Sequence, residues 1–196
     1  MKQQIEIEFK NLLTKEEFEK IKHAFHIQDR QFIYQENHYF DTPQFSLKEK
    51  GAALRIRVKN HTYTLTLKQT LKQGMLETHE QLTKEEALSL LNGTTTVKGE
   101  MKRVLETIGV FPEQLQHFGT LATNRAQIPY EGGILVFDHS HYLQTDDYEI
   151  EYETNDFTHG KQVFEKLLAS LNIPIRPTAN KIKRLYAKKY GVEEKE

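Results

Sequence analysis

The sequence predicts an α+β fold in which about eight antiparallel strands form a large sheet or a closed barrel, with helices grouped between and after them. Three observations carry this. Eight segments alternate polar and apolar residues with period two. A helix-start signal, Thr-Lys-Glu-Glu, occurs twice ahead of apolar residues at helical spacing. Several of the strands also place charges on one face and apolar side chains on the other. Such strands can set their apolar face under helices while the charged face lines a wet interior, an inversion of the usual arrangement.

The elements follow in chain order. Lys2 to Lys10 alternates, with Ile5, Ile7 and Phe9 opposite Glu6, Glu8 and Lys10. Thr14-Lys-Glu-Glu17 then caps a helix from about Lys15 to Ala24, with Phe18, Ile21, Ala24 and Phe25 on one side, and His26 to Arg30 reads as a loop. Strands are expected at Phe32–Phe40, Ala52–Lys59, Tyr63–Gln69 and Met75–Leu82, with Asn60-His61 as a tight hairpin turn. Thr83-Lys-Glu-Glu86 starts a second helix that Asn92-Gly93 stops, and a further helix is expected over Gly99–Gly109. These middle helices read as an insertion between two halves of one sheet. Period two returns at Leu121–Ile128, Ile134–Asp138 and Tyr148–Glu153, with Gly132-Gly133 as a turn. A helix over Phe157–Leu171 ends before Pro174, a basic helix follows from Asn180 to Lys189, and residues 191–196 form an acidic tail.

Composition bounds the function. A chain of 196 residues with 37% hydrophobic content can build the core of one domain, expected over residues 1–190, and holds no apolar run of signal or membrane-span length. Lys and Arg number 27 against 28 Asp and Glu, so no net field favours nucleic acid or an anionic membrane. Without cysteine there is neither a disulfide framework nor a thiolate zinc site, and a cytoplasmic enzyme is the simplest expectation.

The placement of the charges is more telling. Glu6, Glu8 and Lys10 share a face at about 7 Å per two residues, and hard carboxylate oxygens at that pitch suit Mg²⁺ or Mn²⁺. Arg55, Arg57 and Lys59 line one face of their strand, and Lys68 joins them from the next. Like charges in a row repel unless an anion sits before them, and the planar fork of arginine matches phosphate oxygens. Glu149, Glu151 and Glu153 also share a face, where a divalent metal would relieve their repulsion. Asp138 either joins that acidic cluster or is an exposed turn residue. The bland alternative for each row is a solvated or aggregation-resistant strand face. Other chemistries lack their motifs: there is no HExxH pair, no GxxxxGK[ST] loop, no GxGxxG turn and no GxSxG elbow. The nine histidines accordingly read as surface or core-edge residues.

These residues together resemble a known family. Glu6-Ile-Glu8-Phe-Lys10 is similar to the ExExK signature of the CYTH superfamily, the triphosphate tunnel metalloenzymes. Asn37-His-Tyr-Phe-Asp-Thr42, Gly51-Ala-Ala-Leu-Arg-Ile-Arg57, Thr64-Leu-Thr-Leu-Lys68, Thr123-Asn-Arg125, Phe137-Asp138, Glu149-Ile-Glu151 and Asn180-Lys181 follow in the family's order, from Ile5 to about Lys189. The resemblance implies an eight-stranded antiparallel tunnel with flanking helices. It also implies a function among inorganic, thiamine and RNA 5′-triphosphatases and class IV adenylyl cyclases. By it, Glu6, Glu8, Glu149, Glu151 and Glu153 would hold Mg²⁺ or Mn²⁺, and Lys10, Arg55, Arg57, Lys68, Arg125 and Lys181 the triphosphate. One departure is that Gly74–Gln81 lacks the arginine of the family's R-x-E-x-E strand.

The expected reaction is metal-dependent hydrolysis of a triphosphate: cations orient the phosphates and water attacks the terminal phosphorus, with a glutamate or a metal-held water as base. Glu6, Glu8, Lys10 and Lys68 are the candidate catalytic residues, Lys59 is added to the phosphate set and Asp138 to the metal set. A nucleotidyl cyclase using the same tunnel, and a non-catalytic polyphosphate- or nucleotide-binding module, are the alternatives. The expected partner is a small triphosphate, with no nucleic acid and no membrane; monomer and homodimer both stay open.

Overall fold

The computed structural model describes residues 1–191; residues 192–196 of the expected acidic tail lie outside the described residues. Eight strands occur in the order β1 (Lys2–Leu13), β2 (Ile33–Asp41), β3 (Ala52–Lys59), β4 (Thr62–Thr70), β5 (Met75–Leu82), β6 (Gln116–Tyr130), β7 (Gly133–Tyr142) and β8 (Thr145–Thr154). They form a closed antiparallel barrel with neighbours β1-β5-β4-β3-β2-β6-β7-β8. The helices among the described residues are α1 (Lys15–Ala24), α2 (Ser46–Glu49), α3 (Lys84–Leu91), α4 (Gly99–Thr107), α5 (Phe157–Ser170) and α6 (Lys181–Tyr190), with short 3₁₀ turns at Asp29–Gln31 and Pro112–Gln114. No helix among them is long and apolar enough to cross a membrane.

The chain divides into two compact units, Met1–Ile5 with Gln35–Leu121, and Glu6–Tyr34 with the chain from Ala122 onward. In the first unit, Leu54, Ile56, Leu65 and Leu67 of β3 and β4 are buried with Ala87, Met101 and Leu105 of α3 and α4. The middle helices therefore cover the apolar face of this unit's strands. In the second, Leu135, Phe137, Ile150 and Tyr152 of β7 and β8 are buried with Phe18 and Ile21 of α1 and Phe164, Leu167 and Leu168 of α5. Helices thus take the apolar strand faces and leave the charged faces to the barrel interior. α5 lies close: a Cβ added at Gly160 would stand 2.4 Å from the Thr154 side chain and 2.9 Å from Phe9.

The capping signals are realised. Thr14 accepts from the Glu17 amide at 3.2 Å while Glu17 accepts from the Thr14 amide at 2.8 Å. Thr83 and Glu86 repeat the exchange at 3.1 and 2.7 Å. Asn180 caps α6 by accepting from the Lys183 amide at 3.0 Å, and Gly191, at φ 64°, closes that helix. The one-turn helix α2 carries no such local signal. It is capped from a distance by Asp41, whose carboxylate accepts from the amides of Thr42, Leu47 and Lys48 at 2.7, 2.9 and 3.1 Å. The Asp41-Thr42 pair of the recognised segment therefore has a structural task.

Four strands run three or more residues beyond an expected end: β1 to Leu13, β6 from Gln116, β7 to Tyr142 and β8 from Thr145. The β7 extension places Asp138 mid-strand and fully buried, not in a turn. It turns back through Leu143-Gln144, both at positive φ (46° and 61°), a two-residue hairpin made without glycine or asparagine. Asn60-His61 make the expected turn, also with both residues at positive φ, 47° and 59°. Between β6 and β7 the turn residues are Glu131 and Gly132, and Gly133 opens β7. Gly133 is needed for close approach, because a Cβ there would lie 2.5 Å from the Glu153 carbonyl oxygen and 2.7 Å from Tyr152.

Candidate active site

In the first unit, antiparallel register sets side chains of one face in rows. Asn37, Arg57, Thr64 and Gln81 lie opposite one another across β2, β3, β4 and β5, and Tyr39, Arg55, Thr66 and His79 form the next row. Lys68 faces Glu77 in the third. Arg57 Nε donates to Asn37 Oδ1 at 2.9 Å, which fixes the plane of the guanidinium. Lys68 Nζ lies 2.6 Å from Glu77 Oε1, and Arg55 Nη2 3.9 Å from the same oxygen. His79 completes the group, with Nε2 3.0 Å from Glu77 Oε2 and Nδ1 3.0 Å from Thr66 Oγ1. Burial pushes the Glu77 carboxyl up, but Lys68 and Arg55 outweigh it and hold the acid at about 2. The same burial, aided by Arg55 and Lys68, outweighs Glu77 at His79 and pushes the imidazole down. Among the described residues, four cations, Arg55, Arg57, Lys59 and Lys68, thus share this face with Glu77, while Asp41, at the end of β2 in the same row, is taken up by the amides of Thr42 and α2.

The second unit has the opposite balance. Glu8 lies across from Glu153 and Lys10 from Glu151, while Asp138 faces both Arg125 and Glu149. Arg125 binds Asp138 with both ends of its fork, Nε to Oδ1 at 2.7 Å and Nη2 to Oδ2 at 2.6 Å, and reaches Glu151 at 2.7 Å. Lys181, at the start of α6, lies 2.8 Å from Asp138 and 2.6 Å from Glu151, and also pairs with Glu149. Arg184, one turn on, binds Asp147 at 2.8 Å and Glu149 at 2.6 Å. Lys10 pairs with Glu8.

These pairings set the protonation states. Burial opposes the charge of Asp138 and of Glu151, but Arg125 and Lys181 overcome it at both and hold them below the usual carboxylate range. Glu149 is pushed up to about 7, first by burial and then by Glu151 against the pull of Lys181. Glu153 is also pushed up to about 7 by burial, with Glu6, Glu151 and Glu8 adding to it against Arg125. Seven carboxylates, Glu6, Glu8, Asp138, Asp147, Glu149, Glu151 and Glu153, meet four cations, Lys10, Arg125, Lys181 and Arg184. Positive charge is what this face lacks.

That donor set fits a hard divalent ion. Asp138, Glu149 and Glu151 each offer an oxygen within 4.8 Å of the others, all three residues are buried, and every donor is a carboxylate oxygen. The expected acidic ligands lie on the charged strand face of the second unit with Lys10 and Arg125, Lys181 reaches that face from α6, and Arg55, Arg57, Lys59 and Lys68 lie on the charged face of the first unit. Glu77, His79 and Asn37 were not among the expected site residues, and neither were Asp147 and Arg184. Strand period places Glu77 and His79 on one face, but only pairing to β4 supplies their partners. Arg184 reads in the sequence as one charge of a basic helix.

Comparison with known proteins matches this architecture. A family model described as the CYTH domain matches residues 4–186. A protein of Bacillus subtilis (strain 168) named "Putative triphosphatase YjbK" is 50% identical over 189 residues, 96% of this chain and 98% of that protein. A crystal structure described as a putative adenylate cyclase from Bacillus halodurans superposes with a TM-score of 0.91 at 44% identity, covering 95% of this chain and all of the other. A Hippeastrum protein, described as a putative adenylyl cyclase with a dominant triphosphatase activity, gives 0.75 at 27% identity over 93% of this chain and 95% of its own. With the barrel, the ordered charged strands and a family match over nearly all of its length, the chain belongs to the CYTH domain family.

Proposed function

We propose that this protein is a metal-dependent triphosphatase that hydrolyses a phosphoanhydride bond of a small triphosphate. The observation that carries the reading is the sorting of charge. Among the described residues, one set of strands presents four cations around Glu77, and the other presents seven carboxylates, which meet only Lys10, Arg125 and the two cations of α6. An anion-binding module has use for the first set alone. A row of glutamates is useful only with a cation between them and the phosphates.

In this reading the phosphate-binding cations are Arg55, Arg57, Lys59 and Lys68 in the first unit and Lys10, Arg125 and Lys181 in the second. Arg57 is pre-oriented by Asn37 and Arg125 by Asp138, so both forks are fixed before substrate arrives. Glu6, Glu8, Glu149, Glu151 and Glu153 hold Mg²⁺ or Mn²⁺, with Asp138 in the same cluster. The bound ion supplies charge neutralisation and polarisation of the phosphoryl oxygens. A glutamate of this face or a water held by the ion would take the proton from the attacking water. Lys68 and Lys10 stabilise the charge that develops on the leaving phosphate. A cytoplasmic setting suits a small-triphosphate substrate.

The test is a screen of tripolyphosphate, thiamine triphosphate and ATP with Mg²⁺ or Mn²⁺, reading both phosphate and cyclic nucleotide. Release of phosphate from at least one substrate, abolished by chelation and reduced at least 100-fold in Glu8→Gln, is the expected result. Cyclic nucleotide with no phosphate release would make the protein a cyclase. Binding of tripolyphosphate without any turnover would make it a binding module.

A further inference from the structure

The histidines that the sequence assigns to the surface or the core edge include a group the triphosphatase reading does not use. His139 and His141 are two residues apart on β7, so they share the face opposite Asp138 and Ser140. Asp146 lies directly across from His141 on β8. The tight turn at Leu143-Gln144 brings all three together. His139 Nε2 is 2.8 Å and His141 Nδ1 2.7 Å from the same oxygen, Asp146 Oδ1. One donor atom from each residue lies within 4.8 Å of the other two.

We propose that this hairpin is a second metal site, in which His139 Nε2, His141 Nδ1 and Asp146 bind a borderline transition-metal ion such as Zn²⁺. Two imidazoles and one carboxylate are the donor set that zinc, nickel and copper prefer and that Mg²⁺ does not. A tetrahedral ion with bonds of about 2.0–2.1 Å needs donors about 3.3 Å apart. The two N···O distances, 2.8 and 2.7 Å, lie about half an ångström inside that spacing.

Two features hold the ligands ready. The His139 ring stacks on Tyr148, with centroids 4.4 Å apart and planes 16° from parallel, and Phe18 of α1 lies on the same side at 6.5 Å. The Asn124 amide sits 3.4 Å from His141 Nε2. With Nδ1 on a metal, that nitrogen carries a proton, and turning the amide over places an oxygen to accept it. This is the outer-shell partner that metal-bound imidazoles usually have. Side-chain exposures of 57% at Asp146 and 40% at His141 let an ion enter and leave positions for water or a fourth ligand. The site is separate from the acidic cluster, since β7 presents the two on opposite faces.

The site is tested on the full chain after removal of metal with a chelator, by calorimetric titration with Zn²⁺ and by electron paramagnetic resonance with Cu²⁺. One class of Zn²⁺ site should persist in Glu149→Gln and weaken at least ten-fold in both His141→Ala and Asp146→Asn. Copper in the wild type and in Glu149→Gln should show hyperfine coupling to two imidazole nitrogens, and His139→Ala should lose at least one. Circular dichroism checks that the variants are folded, and Asp146→Asn, exposed and nearly isosteric, serves if the histidine changes disturb packing. Equal Zn²⁺ affinity in wild type, His141→Ala and Asp146→Asn overturns the proposal, as does the absence of Zn²⁺ binding. Loss of the site in Glu149→Gln, whatever the histidine variants do, assigns the ion to the acidic cluster and overturns it as well.

Discussion

Glu153 and Glu151 sit two residues apart on one strand face, yet their environments push them in opposite directions. Glu151 is held by Arg125 and Lys181, whereas Glu153 has Arg125 only at 3.7 Å and three glutamates around it. Its folded-state value of about 7 lies above the ordinary 4.5, so the folded protein binds the extra proton. Stability from this group is fully present below about pH 4.5 and is lost as pH rises through 7. Glu153→Gln removes the dependence. In the metal-free protein the variant should melt higher than wild type at pH 7.5 and no higher at pH 4.5, as read by thermal unfolding at both values. A difference that does not change with pH would show that Glu153 is not held protonated.

At the scale of elements, α6 is joined to the second unit by ionic contacts at its first turn. Lys181 and Arg184 bind four carboxylates of β7 and β8, while Lys189, two turns on, is exposed. Removing Lys181 leaves Asp138, Glu149 and Glu151 short of a buried cation, a change that costs about 3–5 kcal/mol where one partner of a buried pair is deleted. Lys181→Ala should therefore lower the melting temperature of the metal-free protein and impair turnover, and added Mg²⁺ or Mn²⁺ should recover part of the stability. Lys189→Ala should do none of these. Unfolding and rate measurements that find the two variants alike would remove α6 from the site.

For the whole molecule, binding of a divalent ion to the native state alone raises stability by mass action, by about 2.7 kcal/mol at 100 times the dissociation constant. At about 2–4 °C per kcal/mol for a chain of this size, the melting temperature should rise by roughly 5–11 °C in saturating Mg²⁺ or Mn²⁺. A chelator should reverse the rise, and Glu149→Gln should reduce it. No shift with either ion would contradict a metal role for the acidic face.

The sequence by itself determined the strands and helices wherever local chemistry specifies them. Period-two alternation names a strand and its faces, and Thr14 and Thr83 with a glutamate three residues on start helices in any context. The charged rows Glu6-Glu8-Lys10, Arg55-Arg57 and Glu149-Glu151-Glu153 were legible for the same reason, because alternation assigns a face before any partner is known. Tertiary structure alone decided who meets whom. Arg184 finds Asp147 37 residues away and Lys181 finds Glu149 32 away, through the return of α6 to β8. Glu77 gains Lys68 from register, and Asp41 caps a helix that carries no signal of its own. The β7–β8 hairpin was lost to the sequence because Leu143-Gln144 takes positive φ without glycine or asparagine, and with it went the meeting of His139, His141 and Asp146. A backbone pattern is set within a few residues, whereas the charge of a site depends on pairings that exist only once the chain has closed on itself.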